Sequence, residues 1–167
     1  MILGKQTADY WISRLGLEPH AEGGYFKQTY RSEEDVPGTE RALYTSIYFL
    51  LRNGEVSHFH RLKSDELWYF HTGDSLSVHM IHENGEYEEV LLGLDLEKGE
   101  VPQVLVPKNT IFGSSVSGDG TYALVGCMVS PGFEYVDFEL FTQEELVKDY
   151  PQHREIIGKM AYETLPE

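Results

Sequence analysis

Ionisable side chains crowd most densely into one stretch, Gly54 to Asp74, which carries His58, His60, Asp65, Glu66 and His71. Side chains alternate along a β-strand, so His58 and His60 are expected on one face and Phe59 on the other. Glu66 opens the next strand and is expected to reach the same point across the hairpin. Two imidazoles and a carboxylate with open positions form the facial set that holds a divalent metal, Fe(II) foremost but also Mn or Zn. Without a metal, the same groups suit general acid–base catalysis, because imidazole titrates near neutrality and a neighbouring carboxylate tunes it. A hydrogen-bonded surface pair is the plainer reading of two such histidines. The carboxylate and the glycine-bounded hairpin beside them argue for a site.

Such groups need a rigid frame, and the chain supplies strands. Apolar, aromatic and β-branched runs fall at Tyr25–Arg31, Leu43–Leu51, Val56–His60, Glu66–His71, Leu76–Ile81 and Tyr87–Leu92. They continue at Gln103–Val106, Ile111–Val116, Thr121–Val129 and Val136–Phe141. Turn chemistry separates them, notably Asn53-Gly54, Asn84-Gly85, Lys98-Gly99 and Gly118-Asp119-Gly120. Many short strands without βαβ alternation imply an all-β sandwich or barrel. The ends read as helix. Thr7 is an N-cap and Gly16 a stop, while Thr142 begins a capping box with Glu145. That second helix should end before Pro151, with another short one to Ala161. The expectation is one all-β domain over residues 1–167, its barrel core over residues 24–141.

Composition narrows the function classes. With 13 Lys+Arg against 28 Asp+Glu, the 167-residue chain carries a net charge of −15. Such a surface repels phosphates, so neither nucleic acid nor an anionic membrane is an expected partner. The single cysteine, Cys127, excludes an internal disulfide and a multi-cysteine zinc site, and its apolar strand implies a buried, inert thiol. The N-terminus has no basic stretch followed by a long apolar run, and no apolar run approaches the roughly 18 residues of a membrane span. A cytoplasmic location is expected.

Other residues carry chemistry by type. Arg31 and Arg41, with Tyr30, suit an anionic group on a substrate, although Arg41 reads better as an ion pair with the abundant carboxylates. Trp68 and Phe70 share strand parity with Glu66 and would wall a pocket fit for a sugar ring. His71, His79 and His82 lack partners at ligand spacing and read as satisfied strand residues. Tyr135 is a candidate proton donor.

The string from His58 to Gly73 resembles the first motif of the cupin superfamily, with His58-x-His60, then Glu66, then six residues to Gly73. It departs from that motif in placing Gly54 three residues before His58 and five residues between His60 and Glu66. The second motif resembles Pro107-Lys108-Asn109, where Asn109 would serve as the turn glycine. Phe112 stands where the fourth ligand, a histidine, is usual. Three strings, LEPHAEGGYFKQTYRS, SHFHRLKSDELWYFHTGD and YALVGCMVSPGFEYVDFEL, resemble the small single-domain cupins called cupin family five. That family is described as uncharacterised or as predicted sugar epimerases.

The resemblance implies a jelly-roll barrel (a double-stranded β-helix), a homodimer, and a pocket capped by His20, Glu22 and Tyr25. It also implies similarity in fold to dTDP-4-dehydrorhamnose epimerases, which use a His base and a Tyr acid without metal. Three functions stay open. The first is a sugar-epimerase or isomerase type enzyme using His58 or His60 as base, Glu66 to orient it and Tyr135 as acid. The second is a metal-dependent dioxygenase or hydrolase holding Fe, Mn or Zn on His58, His60 and Glu66. The third is a binding module for a sugar, a nucleotide-sugar-like compound or another metabolite. The expected substrate-binding residues are Glu22, Tyr25, Tyr30, Arg31, Trp68, Phe70 and Phe112.

Overall fold

The computed structural model describes residues 5–167; the reading of the N-terminus as free of a leader rests partly on Met1–Gly4, outside the described residues. Helix α1 (Ala8–Leu15) is capped by the Thr7 hydroxyl, which accepts from the Tyr10 N–H, and ends at left-handed Gly16. Eleven strands follow: β1 (Glu18–Pro19), β2 (Tyr25–Arg31), β3 (Thr45–Arg52), β4 (Val56–Arg61), β5 (Asp65–Gly73), β6 (Leu76–Ile81), β7 (Tyr87–Leu92), β8 (Gln103–Val106), β9 (Ile111–Val116), β10 (Tyr122–Ser130) and β11 (Glu139–Leu140). Helices α2 (Gln143–Asp149) and α3 (Arg154–Met160) close the chain, α2 with the full Thr142/Glu145 capping box.

The strands form two antiparallel sheets, β1-β2-β3-β10-β5-β8 and β11-β4-β9-β6-β7. Their inner faces enclose a core that includes Phe49, Leu51, Trp68, Val78, Met80, Phe112 and Val125. Strict alternation on β10 sends Ala123, Val125, Cys127 and Val129 inward and Tyr122 and Leu124 outward, under α1. The outer face of the five-stranded sheet is covered by α2 and α3 through Phe59, Ile81, Leu146, Ile157 and Met160. This is the expected all-β jelly roll with helical ends.

Three departures from the sequence reading bear on the site. First, β4 and β5 lie in opposite sheets, so His60 and Glu66 face each other across the interior instead of across a hairpin. Second, β4 carries a bulge: Ser57 pairs with Ser114, yet His60 pairs with Phe112, so three steps on β4 oppose two on β9. The extra residue resets the alternation. Third, Val136–Phe141 is not one strand. Tyr135–Asp137 forms a 3-10 turn and only Glu139–Leu140 joins a sheet. Arg41 binds both Glu134 and Asp137, tying that segment to the preceding loop.

Candidate functional site: a buried carboxylate–imidazole cluster

The β4 bulge separates the two histidines that simple alternation puts together. His60 points inward and is 2 % exposed. His58 instead stacks on Tyr162, with ring centroids 3.5 Å apart and planes at 13°. Its backbone N–H and its ring Nδ1 both lie 2.7 Å from the Glu22 carbonyl oxygen. His58 therefore grips the backbone of the loop between β1 and β2. Tyr162 reinforces that grip, because its hydroxyl donates to the Ala21 carbonyl at 2.9 Å.

That loop must run close to β4. At Gly23, with φ of +107°, a Cβ would stand 2.0 Å from the Val56 carbonyl oxygen, so only glycine fits. The close approach drives the Glu22 side chain into the barrel, where it is 7 % exposed. Its Oε2 stands 3.0 Å from His60 Nε2. His60 Nδ1 lies 2.7 Å from the His58 carbonyl oxygen, which fixes a proton on Nδ1. Nε2 then holds a second proton when it donates to Glu22, and the pair is imidazolium and carboxylate. Burial works against both charges, yet their mutual attraction prevails: Glu22 is held below, and His60 above, its ordinary value.

Glu66 meets the opposite fate. It comes from β5, on the other side of the cavity, beside the Cys127 thiol, which donates to it. Burial and the nearby Glu22 charge push its carboxyl up to about 8, against a weaker opposing pull from His60. Glu66 is thus un-ionised at neutral pH. Burial and these two carboxyls also raise the Cys127 thiol well above its usual range, so it stays protonated. His20 completes the cluster as a neutral imidazole. Its Nδ1 accepts the Glu22 N–H at 3.1 Å, and burial lowers its titration.

These groups line one cavity of about 90 Å³, bounded also by Phe26, Gln28, Thr45, Ile47, Leu62, Val129, Phe133 and Tyr135. Of the residues singled out from sequence, the cavity brings together His20, Glu22, His60, Glu66 and Tyr135. Tyr135 is 62 % exposed and sits at the rim. The others stand elsewhere. Trp68 and Phe112 are fully buried core rings, Phe112 with its centroid 4.1 Å from that of His60. Phe70 packs against the same core. Tyr25 faces outward, beneath the Arg52 guanidinium that donates to its hydroxyl at 2.9 Å. Tyr30 is 70 % exposed. Arg31 pairs with Thr45 at the end of β2 and does not reach the cavity lining. Gln28, Thr45 and Cys127 were not legible as pocket residues, since nothing in strand alternation says which end of a barrel opens.

A metal does not fit these donors. His58 is turned away from the cavity onto Tyr162, His60 Nε2 is taken by Glu22, and the fourth position is the apolar Phe112. Among the described residues, no group of three or more His, Cys, Asp and Glu side chains is placed to hold a metal ion.

Residues 9–141 match the family described as Cupin superfamily (DUF985). The chain belongs to this family. It is 30 % identical over 154 residues to an uncharacterised protein of Saccharomyces cerevisiae, covering 82 % of this chain and 76 % of that one. A solved structure from Shewanella oneidensis is 55 % identical, with a TM-score of 0.90, over 95 % of this chain and 99 % of that one. A hypothetical protein from Leishmania major is 46 % identical at the same TM-score, over 94 % and 99 %. Oxalate decarboxylase of Bacillus subtilis, at 18 % identity, TM-score 0.55, 89 % of this chain and 40 % of its own, shares the cupin fold alone. No described helix is long and apolar enough to cross a membrane.

Proposed function

We propose that this cupin is an acid–base enzyme of the isomerase or epimerase type, acting at a carbon next to a carbonyl. One observation carries the reading: two buried carboxyls, Glu22 and Glu66, line a single cavity with His60, and their surroundings hold Glu22 below and push Glu66 above its ordinary value. Titratable pairs whose environments drive them apart mark the acid and the base of a site. Glu22, ionised, takes the proton from the carbon. Glu66, un-ionised, gives its proton to the carbonyl oxygen, and an enediol results. His60 stays positive throughout, hydrogen-bonded to Glu22 and within electrostatic reach of Glu66, so it opposes the negative charge whichever carboxyl carries it. Return of a proton to the other face, or to the neighbouring carbon, gives the epimer or the isomer.

Solvent-deuterium incorporation, followed by proton NMR across a panel of hydroxy-aldehydes, hydroxy-ketones and simple sugars, tests the reading. Exchange should occur in the native protein and fall by about 10²–10⁴ in Glu22→Gln and in Glu66→Gln. Undiminished exchange in both variants would remove these residues from the chemistry. Saturable ligand stabilisation with no exchange for any compound would make the protein a binding module.

A further inference from the structure

We infer that the cavity selects short, uncharged hydroxy-carbonyl compounds and rejects their phosphate esters; this rests on the acid–base reading above and specifies its substrate. No lysine or arginine lines the chamber. Its one positive group, His60, is already matched by Glu22 at 3.0 Å. An anion entering there would meet the Glu22 carboxylate with no cation left to answer it. The surroundings add to this, since a chain at −15 repels anions at long range.

Arg41 and Arg31, the arginines that sequence alone offers for an anion, lie outside the lining. Arg41 is committed to Glu134 and Asp137. Arg31 pairs in register with Thr45, and its guanidinium stands 3.5 Å from the Ser32 carbonyl. Size acts in the same direction. A chamber of about 90 Å³ suits a small ligand such as a short carbon chain.

The lining suits a neutral polyol. The Thr45 oxygen accepts the Phe133 N–H at 2.9 Å, so its hydroxyl proton is free to donate. The Gln28 carboxamide makes no side-chain hydrogen bond among the described residues, and it stands on the cavity wall. Ile47, Leu62 and Val129 provide an apolar side for carbon-bound hydrogens.

Calorimetric titration with dihydroxyacetone, dihydroxyacetone phosphate and inorganic phosphate tests the selectivity directly, with deuterium exchange measured on the two ketones. The uncharged ketone should bind at least tenfold more tightly than its phosphate. Gln28→Arg, which brings a cation to the wall, should narrow or reverse that preference. Equal or tighter binding of either phosphate species by the native protein overturns the inference, including the case in which Arg31→Ala then abolishes it. Binding of none of the three also overturns it. Binding of the ketone alone without exchange upholds the selectivity and contradicts the acid–base reading.

Discussion

Two buried histidines on the same five-stranded sheet behave in opposite ways. His60 on β4 faces the interior and is charged; His79 on β6 faces outward and is neutral. Both are nearly inaccessible, at 2 % and 6 % exposure. His79 satisfies its ring with hydroxyls, Tyr87 at 2.7 Å and Ser115 at 3.0 Å. Burial lowers its titration, and the more distant Glu89 and Lys159 act in opposite senses. His60 has a carboxylate at 3.0 Å and rises instead. Burial alone therefore does not decide which way a histidine's titration moves. What sets His60 apart is the carboxylate that its Nε2 meets at 3.0 Å, where His79 meets hydroxyls.

Removing the partner charge should erase the difference. Glu22→Gln keeps the shape but takes away the carboxylate, so His60 should titrate below its ordinary value, as His79 does. Imidazole proton NMR reads this directly, and it should accompany the loss of deuterium exchange.

The next effect lies in the pH dependence of stability. Glu66 is raised, so the stability it lends is complete below its unfolded value of 4.5 and is lost as pH climbs through about 8. Glu22 is lowered, so its contribution is present above 4.5 and is lost as pH falls. His60 is raised above 6.5, and its share disappears as pH rises past its own shifted value. Stability from the cluster should be greatest near pH 4.5 and fall as pH rises above it, more steeply once His60 also begins to lose its proton. Glu66→Gln should flatten the decline on the alkaline side in denaturant titrations, and an unchanged alkaline slope would place the titration elsewhere.

Smaller still is the grip on the Glu22 loop. Tyr162→Leu removes one hydrogen bond and the stacking on His58, a loss of about 1 kcal/mol. Because Glu22 is positioned through this contact, the variant should also lower the His60 titration, which a purely structural change at the C-terminus would not. The smallest effect on exchange belongs to the outer histidine. His79→Phe should cost about 1–3 kcal/mol by stranding the Tyr87 and Ser115 hydroxyls, and should leave exchange intact.

Local signals carried most of the fold. The strands Leu76–Ile81, Tyr87–Leu92, Gln103–Val106 and Ile111–Val116 stand where their patterns place them, as do the Thr7 cap and the Thr142 capping box. Asn109 does take the left-handed conformation, at φ of 65°. The site was legible only in part. His60 and Glu66 could be picked out because imidazole and carboxyl groups are rare on inward strand faces. The pairing of His60 with Glu22 could not, because it depends on the bulge after Ser57 and on the approach of Gly23 to Val56. Both are long-range packing events with no short pattern of their own. The Tyr135–Asp137 turn escaped for a similar reason: its aromatic and β-branched residues favour a strand, but Arg41 holds the segment away from any sheet edge.

The central claim is that Glu22 and Glu66, facing one cavity, are held in opposite protonation states. Carbon-13 NMR of side-chain-labelled glutamates, assigned with Glu22→Gln and Glu66→Gln and titrated from acid to alkaline pH, measures this without knowledge of the substrate. The account predicts one buried carboxyl ionising below the usual range, lost in Glu22→Gln, and one that keeps its proton until about 8, lost in Glu66→Gln. Two carboxyls titrating together near 4.5, or the high value belonging to Glu22, would contradict it.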